Sequence, residues 1–502
     1  MKIIFFTFAI FTGLHPALYG QGTFNLAILS PYPQGDFRHL TLDNDTIAGI
    51  SIGFNNNIEW KQGVVVTKMD SSGNILNSNI ILDSLGDALA VGQAWGGIIK
   101  TSDGGYAATA ATVGRKSAFL IKLDNNLEVE FIKEYPDTVN LSNYFYKLLE
   151  TPEGYLLYGA IQRPDYYDDG FLRYVDKQGN TIWFKYLKYS SYSTTVIDVK
   201  AFGDSTYIAS IVTTSNAIQN KGFTSFLVFN SGGAEIEFWA SPVEPEIGYN
   251  RKIIKVDDSG LLIFGLYPTA YIGNTILVQP TLSKLDSNFQ MEWIRHFGRV
   301  AGLHASIMLW DFAPTPDGHY IGAGETTVKD GDDPTRRVGW LYKFSPEGDS
   351  IWERKINAPF LPLYYTNSGF FTGVGVLSSG SIIAGGTANE GNTEYCWLVK
   401  VTAEGCLDTL FCQPVSTVVH PGQALAGVEI YPNPASSRFN IRSPEEIRHV
   451  ALFDAYGKMV LEQQSAGKFL TIDFPSLLPA GLYFVEIQTE EYLSIRKKIY
   501  IL

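Results

Sequence analysis

The feature that most restricts how this chain can fold is a pair of turns that recurs along most of it. In the clearest copy, Thr101-Ser102-Asp103-Gly104-Gly105-Tyr106 is followed, after an apolar run, by Lys122-Leu123-Asp124-Asn125-Asn126. The first turn returns as Pro152-Glu153-Gly154, Gly203-Asp204-Ser205, Asp257-Asp258-Ser259-Gly260, Pro316-Asp317-Gly318 and Ser378-Ser379-Gly380. The second returns as Lys68-Met69-Asp70, Val175-Asp176-Lys177, Phe229-Asn230-Ser231, Lys284-Leu285-Asp286, Lys343-Phe344-Ser345 and Lys400-Val401-Thr402. Gly, Asp, Ser and Pro supply the positive or fixed φ that tight hairpin turns need. The runs between them, such as Tyr155-Leu156-Leu157-Tyr158 and Leu261-Leu262-Ile263-Phe264, are β-branched, aromatic or aliphatic and too short for a helix. Each copy therefore reads as four short strands.

With the earliest copy around Asp43-Asn44-Asp45-Thr46, there are about seven units spaced roughly 50 to 60 residues apart, the period of propeller blades. A lone four-stranded unit cannot cover both its faces, whereas units stacked in a ring bury them against one another. The sequence thus predicts an all-β fold whose main part, residues 21–412, is an approximately seven-bladed β-propeller. Such a ring must close. Phe24-Asn25-Leu26-Ala27-Ile28-Leu29 reads as a strand ahead of the first unit. The last unit exchanges its usual fourth strand for the Cys406 to Cys412 segment, so the N-terminal strand is expected to complete that blade.

Trp183, Trp293 and Trp352, with Phe131 in the equivalent place, fall seven residues past the acid or Ser of the second turn. Packing between blades is the favoured role for these aromatics, and ligand stacking the alternative. The same weighing applies to Tyr106, Tyr155, Tyr207 and Tyr320 after the first turn.

A net charge of -13 without a basic run disfavours nucleic acid as a partner. None of the seven histidines is followed by Glu, and no Gly-Lys-Ser/Thr phosphate loop occurs. No catalytic residue, cofactor or metal site is therefore assigned. The acidic stretches 165–169 and 329–334 lack the spacing of a calcium loop and read as solvated loops. Of the three cysteines, Cys406 and Cys412 are close enough for a disulfide loop ending the last repeat, while Cys396 reads as a buried free thiol.

The two ends of the chain carry an address. Met1-Lys2, the apolar run Ile3 to Leu14 and a small residue at Gly20 resemble a cleaved secretory signal over residues 1–20, too short for a comfortable membrane span. No transmembrane span is expected after its removal. A Pro- and Gly-containing linker, 413–426, leads to a different pattern at 427–502. Alternating strands separated by Pro and Gly turns predict a small immunoglobulin-like β-sandwich there.

Four motifs stand in order in this last domain. They are Tyr431-Pro432-Asn433-Pro434, Asp454-x-x-Gly457-Lys458, Gly481-Leu482-Tyr483 and a terminus with Lys498 before apolar residues. Together they resemble the type A C-terminal sorting domain of the Bacteroidetes type IX secretion system. The resemblance implies that Tyr431, Pro432, Asn433, Pro434, Asp454, Gly457, Lys458, Gly481, Tyr483 and Lys498 belong to a signal read by the translocon and a surface sortase. The expected protein is secreted or held on the outer-membrane surface, a non-enzymatic binding or adhesion module for an unidentified glycan or protein. A propeller-fold lyase or glycosidase, or a purely structural surface protein, are the alternatives.

Overall fold

The protein is described by a computed structural model. The described residues run from 22 to 407 and from 428 to 501, apart from 29–31, 33–34, 56–60, 83–87, 93–95, 115–116, 138, 189–192, 216–220, 241–248, 257–259, 273–274, 298–306, 329–335, 360–367, 392, 454–458, 475–477 and 490–493. The signal segment and the linker lie outside them. The chain divides into two compact units, with the division between residues 415 and 416.

The first unit is a seven-bladed propeller. Six antiparallel sheets follow in chain order over 37–81, 89–136, 142–187, 193–240, 249–296 and 308–356. The seventh takes three strands from 368–401 and its fourth from Phe24–Ile28, which pairs antiparallel with Thr393–Val401 in the register Phe24 to Lys400 and Ile28 to Cys396. The expected closure is therefore present, with the N-terminal strand in the place that the last repeat leaves open. Main-chain pairing across the largest sequence separation in the ring fixes its circumference.

The second turn of each unit is built by its first polar side chain. Asp70 Oδ1 accepts the amides of Ser72 and Asn74, and Asp124, Asp176 and Asp286 repeat the arrangement on the second and fourth residues after them. Ser345 and Thr402 do the same with a hydroxyl. These acids are in the sequence because they close the turn.

The aromatic of the fourth strand then packs on the second turn of the next blade. A Cβ on Gly348 would lie 2.7 Å from the Trp293 ring, and Gly405 and Gly233 stand in the same relation to Trp352 and Trp183. Phe131 meets Gly179, and Phe24 of the N-terminal strand meets Gly73, restoring the aromatic that the last repeat lacks. Two junctions depart from this pairing. Leu127 and Phe289 occupy the glycine position with φ of 66° and 58°, and the blades before them carry Asn77 and Glu237 in place of the aromatic. Room is given either by the turn or by the strand, never withheld by both. Blade packing is thus the role of these aromatics, and Tyr106, Tyr155, Tyr207 and Tyr320 are likewise buried.

The second unit is one five-stranded antiparallel sheet bent over its own core. Its long strand Arg438–Phe453 pairs with Glu429–Tyr431 and Met459–Asp473 in its first half, and with Met459–Asp473 and Gly481–Thr489 in its second. Ser494–Ile501 completes the sheet. Phe439, Ile441, Ile447, Val450, Leu452, Ile472, Val485, Ile487 and Ile499 fill the interior. The sandwich expected from the alternation is made by folding a single sheet, in which Phe439 and Val450 share the long strand.

Candidate functional site

The propeller axis is where the repeats stop being alike. In six blades the innermost strand carries a one-residue bulge, which skips Arg38, Tyr146, Ile197, Arg251, Trp310 and Thr372. In the second blade that strand is split between Leu89–Ala90 and Gly97–Lys100. A bulge re-aims its residue out of the alternation of the strand. Here the result is one axial cavity of about 30 Å3, lined by His39, Gly96, Tyr146, Lys147, Ile197, Arg251, Trp310 and Thr372. All seven blades contribute.

Residues at or beside these irregularities tie neighbouring blades together. Asp311 accepts from Lys252 Nζ at 2.6 Å and from the Val374 amide at 3.2 Å, so it joins the fifth, sixth and seventh blades. Asp198 accepts from Tyr158 Oη at 3.2 Å, Lys200 Nζ at 2.8 Å and the Ile253 amide at 3.0 Å. Thr372 Oγ1 donates to the Phe37 carbonyl at 2.7 Å across the closing junction, and the Gly96 amide donates to the Phe145 carbonyl at 2.9 Å.

Burial governs the electrostatics at the axis. Desolvation alone would raise the Asp311 pKa, but the ammonium groups of Lys252 and Lys147 outweigh it and hold that carboxyl well below its ordinary range. Burial, aided by Lys147, pushes His39 down to about 3, so it is neutral at physiological pH. Burial also lowers Lys147 and Arg251. The Arg251 guanidinium lies 5.2 Å from the centre of the Trp310 ring.

None of these axial residues was singled out from sequence, although a signal existed. Arg38, Gly96, Tyr146, Ile197, Arg251, Trp310 and Thr372 each stand five positions before the residue that opens the first turn, as Tyr146 does before Thr151 and Trp310 before Thr315. The recurring spacing hides in a column whose residue types do not recur.

The sequence-predicted residues lie elsewhere. Asn433 Nδ2 donates to the Lys498 carbonyl at 3.0 Å and its Oδ1 accepts the Tyr500 amide at 2.9 Å. The Ala435 amide continues this pairing to the Tyr500 carbonyl at 2.8 Å. The Tyr431 to Pro434 segment, with both X-Pro bonds cis, therefore covers the edge of the last strand. Tyr431 and Lys498 are exposed, and Gly481 opens its strand. Tyr483 is buried and donates to the Pro479 carbonyl at 2.8 Å. Asp454, Gly457 and Lys458 lie outside the described residues, as does Cys412; Cys406 is buried at the end of the last repeat and Cys396 is a buried free thiol.

In the acidic stretch 165–169, Asp169 is buried and pairs with Arg163 Nε at 3.4 Å and Lys188 Nζ at 3.3 Å. The stretch 329–334 lies outside the described residues. Among the described residues, no cluster of three His, Cys, Asp or Glu side chains is placed to hold a metal ion, and no helix is long and apolar enough to cross a membrane.

The fold is an all-β propeller followed by a small C-terminal β domain. Residues 429–502 match the family described as the secretion system C-terminal sorting domain. The C-terminal unit is thus a type IX sorting domain, as its motifs imply, and such a domain implies export to the cell surface or medium. None of the curated proteins compared with the chain matches it. Among solved structures, the β-propeller domain of the trilobed protease of Pyrococcus furiosus is similar at 10% identity and TM-score 0.41, covering 77% of this chain and 100% of that one. PorZ of Porphyromonas gingivalis, a surface component of the type IX secretion system, is similar at 9% identity and TM-score 0.29, covering 92% and 75%. The α-L-arabinanase of Penicillium chrysogenum is similar at 12% identity and TM-score 0.40, covering 77% and 99%.

Proposed function

We propose that this protein is a non-enzymatic binding or adhesion propeller, delivered to the outer surface or the medium of a Bacteroidetes cell by its C-terminal domain, with a glycan or a protein as its ligand. The axial cavity of about 30 Å3 carries this reading, because a sugar-sized pocket is roughly ten times larger. The two buried axial acids that could serve a glycosidase, Asp198 and Asp311, are instead consumed by lysines, Lys200 of the same strand and Lys252 of the neighbouring blade, and by backbone amides of adjacent blades. Recognition then belongs to the loops that the rigid ring presents. A full-length mature protein applied to a glycan and protein array is expected to retain a defined ligand without shortening it. New reducing ends or unsaturated sugar ends on incubation with polysaccharides would replace this reading with a propeller lyase or glycosidase. The absence of any retained ligand would leave a structural surface protein.

Export is taken to use residues 1–20 across the inner membrane and the sorting domain across the outer one, where the translocon and the sortase engage it. Deletion from about residue 424 onward is expected to leave a protease-resistant propeller in the periplasm, since each unit has its own core. Normal surface amounts of the truncated chain would refute the sorting role. In the exported protein Cys406 pairs with Cys412, and non-reduced peptide mapping should find that loop while Cys396 alkylates only after unfolding.

A further inference from the structure

The axial cavity contains more donors than the ring itself uses. Among the described residues neither Lys147 nor Arg251 is in an ion pair. The acids nearest the axis already have cations of their own, Asp311 with Lys252 at 2.6 Å and Asp198 with Lys200 at 2.8 Å. Trp310 Nε1, a donor only, is buried without a hydrogen-bond partner, and so is His39 Nδ1. The Thr372 hydroxyl spends its proton on the Phe37 carbonyl. Four cations, Lys147, Lys200, Lys252 and Arg251, thus stand against the two carboxylates of Asp198 and Asp311, and the cavity is lined by Lys147, Arg251 and an indole N–H with no acceptor.

Such a set is costly if left as it stands, because buried charges need a partner and a buried donor needs an acceptor. A volume of about 30 Å3 has room for about two waters. That is enough for a halide or a single carboxylate group, and too little for a sugar ring. Water could satisfy the indole N–H, but it would leave the excess of cations over carboxylates uncompensated. A small anion answers both.

We propose that the axial cavity is a binding site for one small monovalent anion, a halide or a carboxylate, held by Lys147, Arg251 and the Trp310 indole N–H. The site sits where the innermost strands of all seven blades meet, so its occupation stabilises the ring as a whole. It goes beyond the ligand-binding reading above and does not depend on it.

The test compares the full chain in sodium chloride, sodium formate and sodium methanesulfonate at constant ionic strength, the last anion being too bulky for the cavity. The unfolding midpoint should rise by roughly 2 °C in chloride or formate relative to methanesulfonate and saturate with concentration, as expected of a ligand that binds only the folded state. Whichever of the two acts at lower concentration identifies the natural class, halide or carboxylate. Arg251→Met and Lys147→Met should abolish the difference, whereas a general salt effect would survive in both variants and overturn the proposal. Should either variant fail to fold, a bromide soak of wild-type crystals decides the matter. An anomalous peak in the cavity supports the site, and bromide bound only elsewhere overturns it.

Discussion

The rim and the axis of the same ring are built by opposite rules. At the rim each blade uses the same residues for the same purpose, a polar side chain closing the second turn and an aromatic lying on the glycine of the next blade. At the axis the backbone repeats, with a bulge at one column in six blades, while the side chains in that column run from Arg38 to Tyr146, Ile197, Arg251, Trp310 and Thr372. Repetition of residue marks what every blade needs to stand beside its neighbour. Repetition of geometry without repetition of residue marks where the ring can be individual.

Ion pairs offer the sharpest way to break that contrast. At the axis Asp311 is buried and Lys252 largely so, and the carboxylate also satisfies the Val374 amide. Asp311→Ala should cost roughly 3 to 5 kcal/mol, because it strands a buried ammonium. Lys122 and Asp103 pair at 3.0 Å at the rim, where Asp103 is about half exposed and the buried Lys122 ammonium keeps a second carboxylate, Glu130, at 3.2 Å. Its loss as Asp103→Ala should cost about 1 kcal/mol or less. Urea unfolding of the two variants measures both, and equal costs would erase the distinction.

The packing rule at the rim can be tested by converting one kind of junction into the other. Gly348→Leu places a side chain at φ 81° and against the Trp293 ring. A cost of roughly 3 kcal/mol is expected from the left-handed backbone and the overlap together. Adding Trp293→Asn reproduces the pairing of Asn77 with Leu127 and should recover at least about 1 kcal/mol of it. If the double variant is as unstable as the sum of the singles, the complementarity has been misread.

Most of the rim was legible in the sequence. Turn residues announce themselves by type, and the aromatic seven positions on is spaced from them by fixed strand geometry. Even the closure could be inferred, since the last copy lacks its aromatic and Phe24 supplies one. The axis was not legible because no residue type marks it: Gly96 and Arg251 do the same geometric job with nothing chemical in common. In the sorting domain, Asn433 was visible as part of a motif, but its bonds to the last strand span more than sixty residues and exist only in the folded sheet.

Acid should also separate the two regions. The folded-state pKa of His39 is depressed to about 3, so between that value and its ordinary 6.5 the unfolded chain binds the extra proton. The axis therefore loses stability as pH falls from 7 to 5, by about 2 kcal/mol. Partial burial of His296 lowers its pKa too and acts in the same direction. Asp311, held low, contributes its stability above the ordinary carboxylate pKa and loses it only as pH drops further. His39→Gln should flatten the profile between pH 7 and 5, and a slope unchanged from wild type would remove the axis from the explanation.

The smallest effect belongs to the turn acids, whose abundance in the sequence invites a catalytic reading. Asp286 is bound to the amides of Asn288 and Gln290, at 2.9 and 2.8 Å, and both bonds lie at the surface. Water replaces such an acceptor at little cost, so Asp286→Ala should destabilise the ring by about 1 kcal/mol. Because the same geometry is achieved by Ser345 and Thr402 with a neutral hydroxyl, the charge of the acid is not what the turn uses. Asp286→Ser should therefore restore stability to within about 0.5 kcal/mol of wild type, and ligand retention on the array should be the same for the wild-type protein and for the Asp286→Ala and Asp286→Ser variants. A loss of binding in the serine variant, with stability intact, would move this acid from the architecture of the rim into a recognition surface.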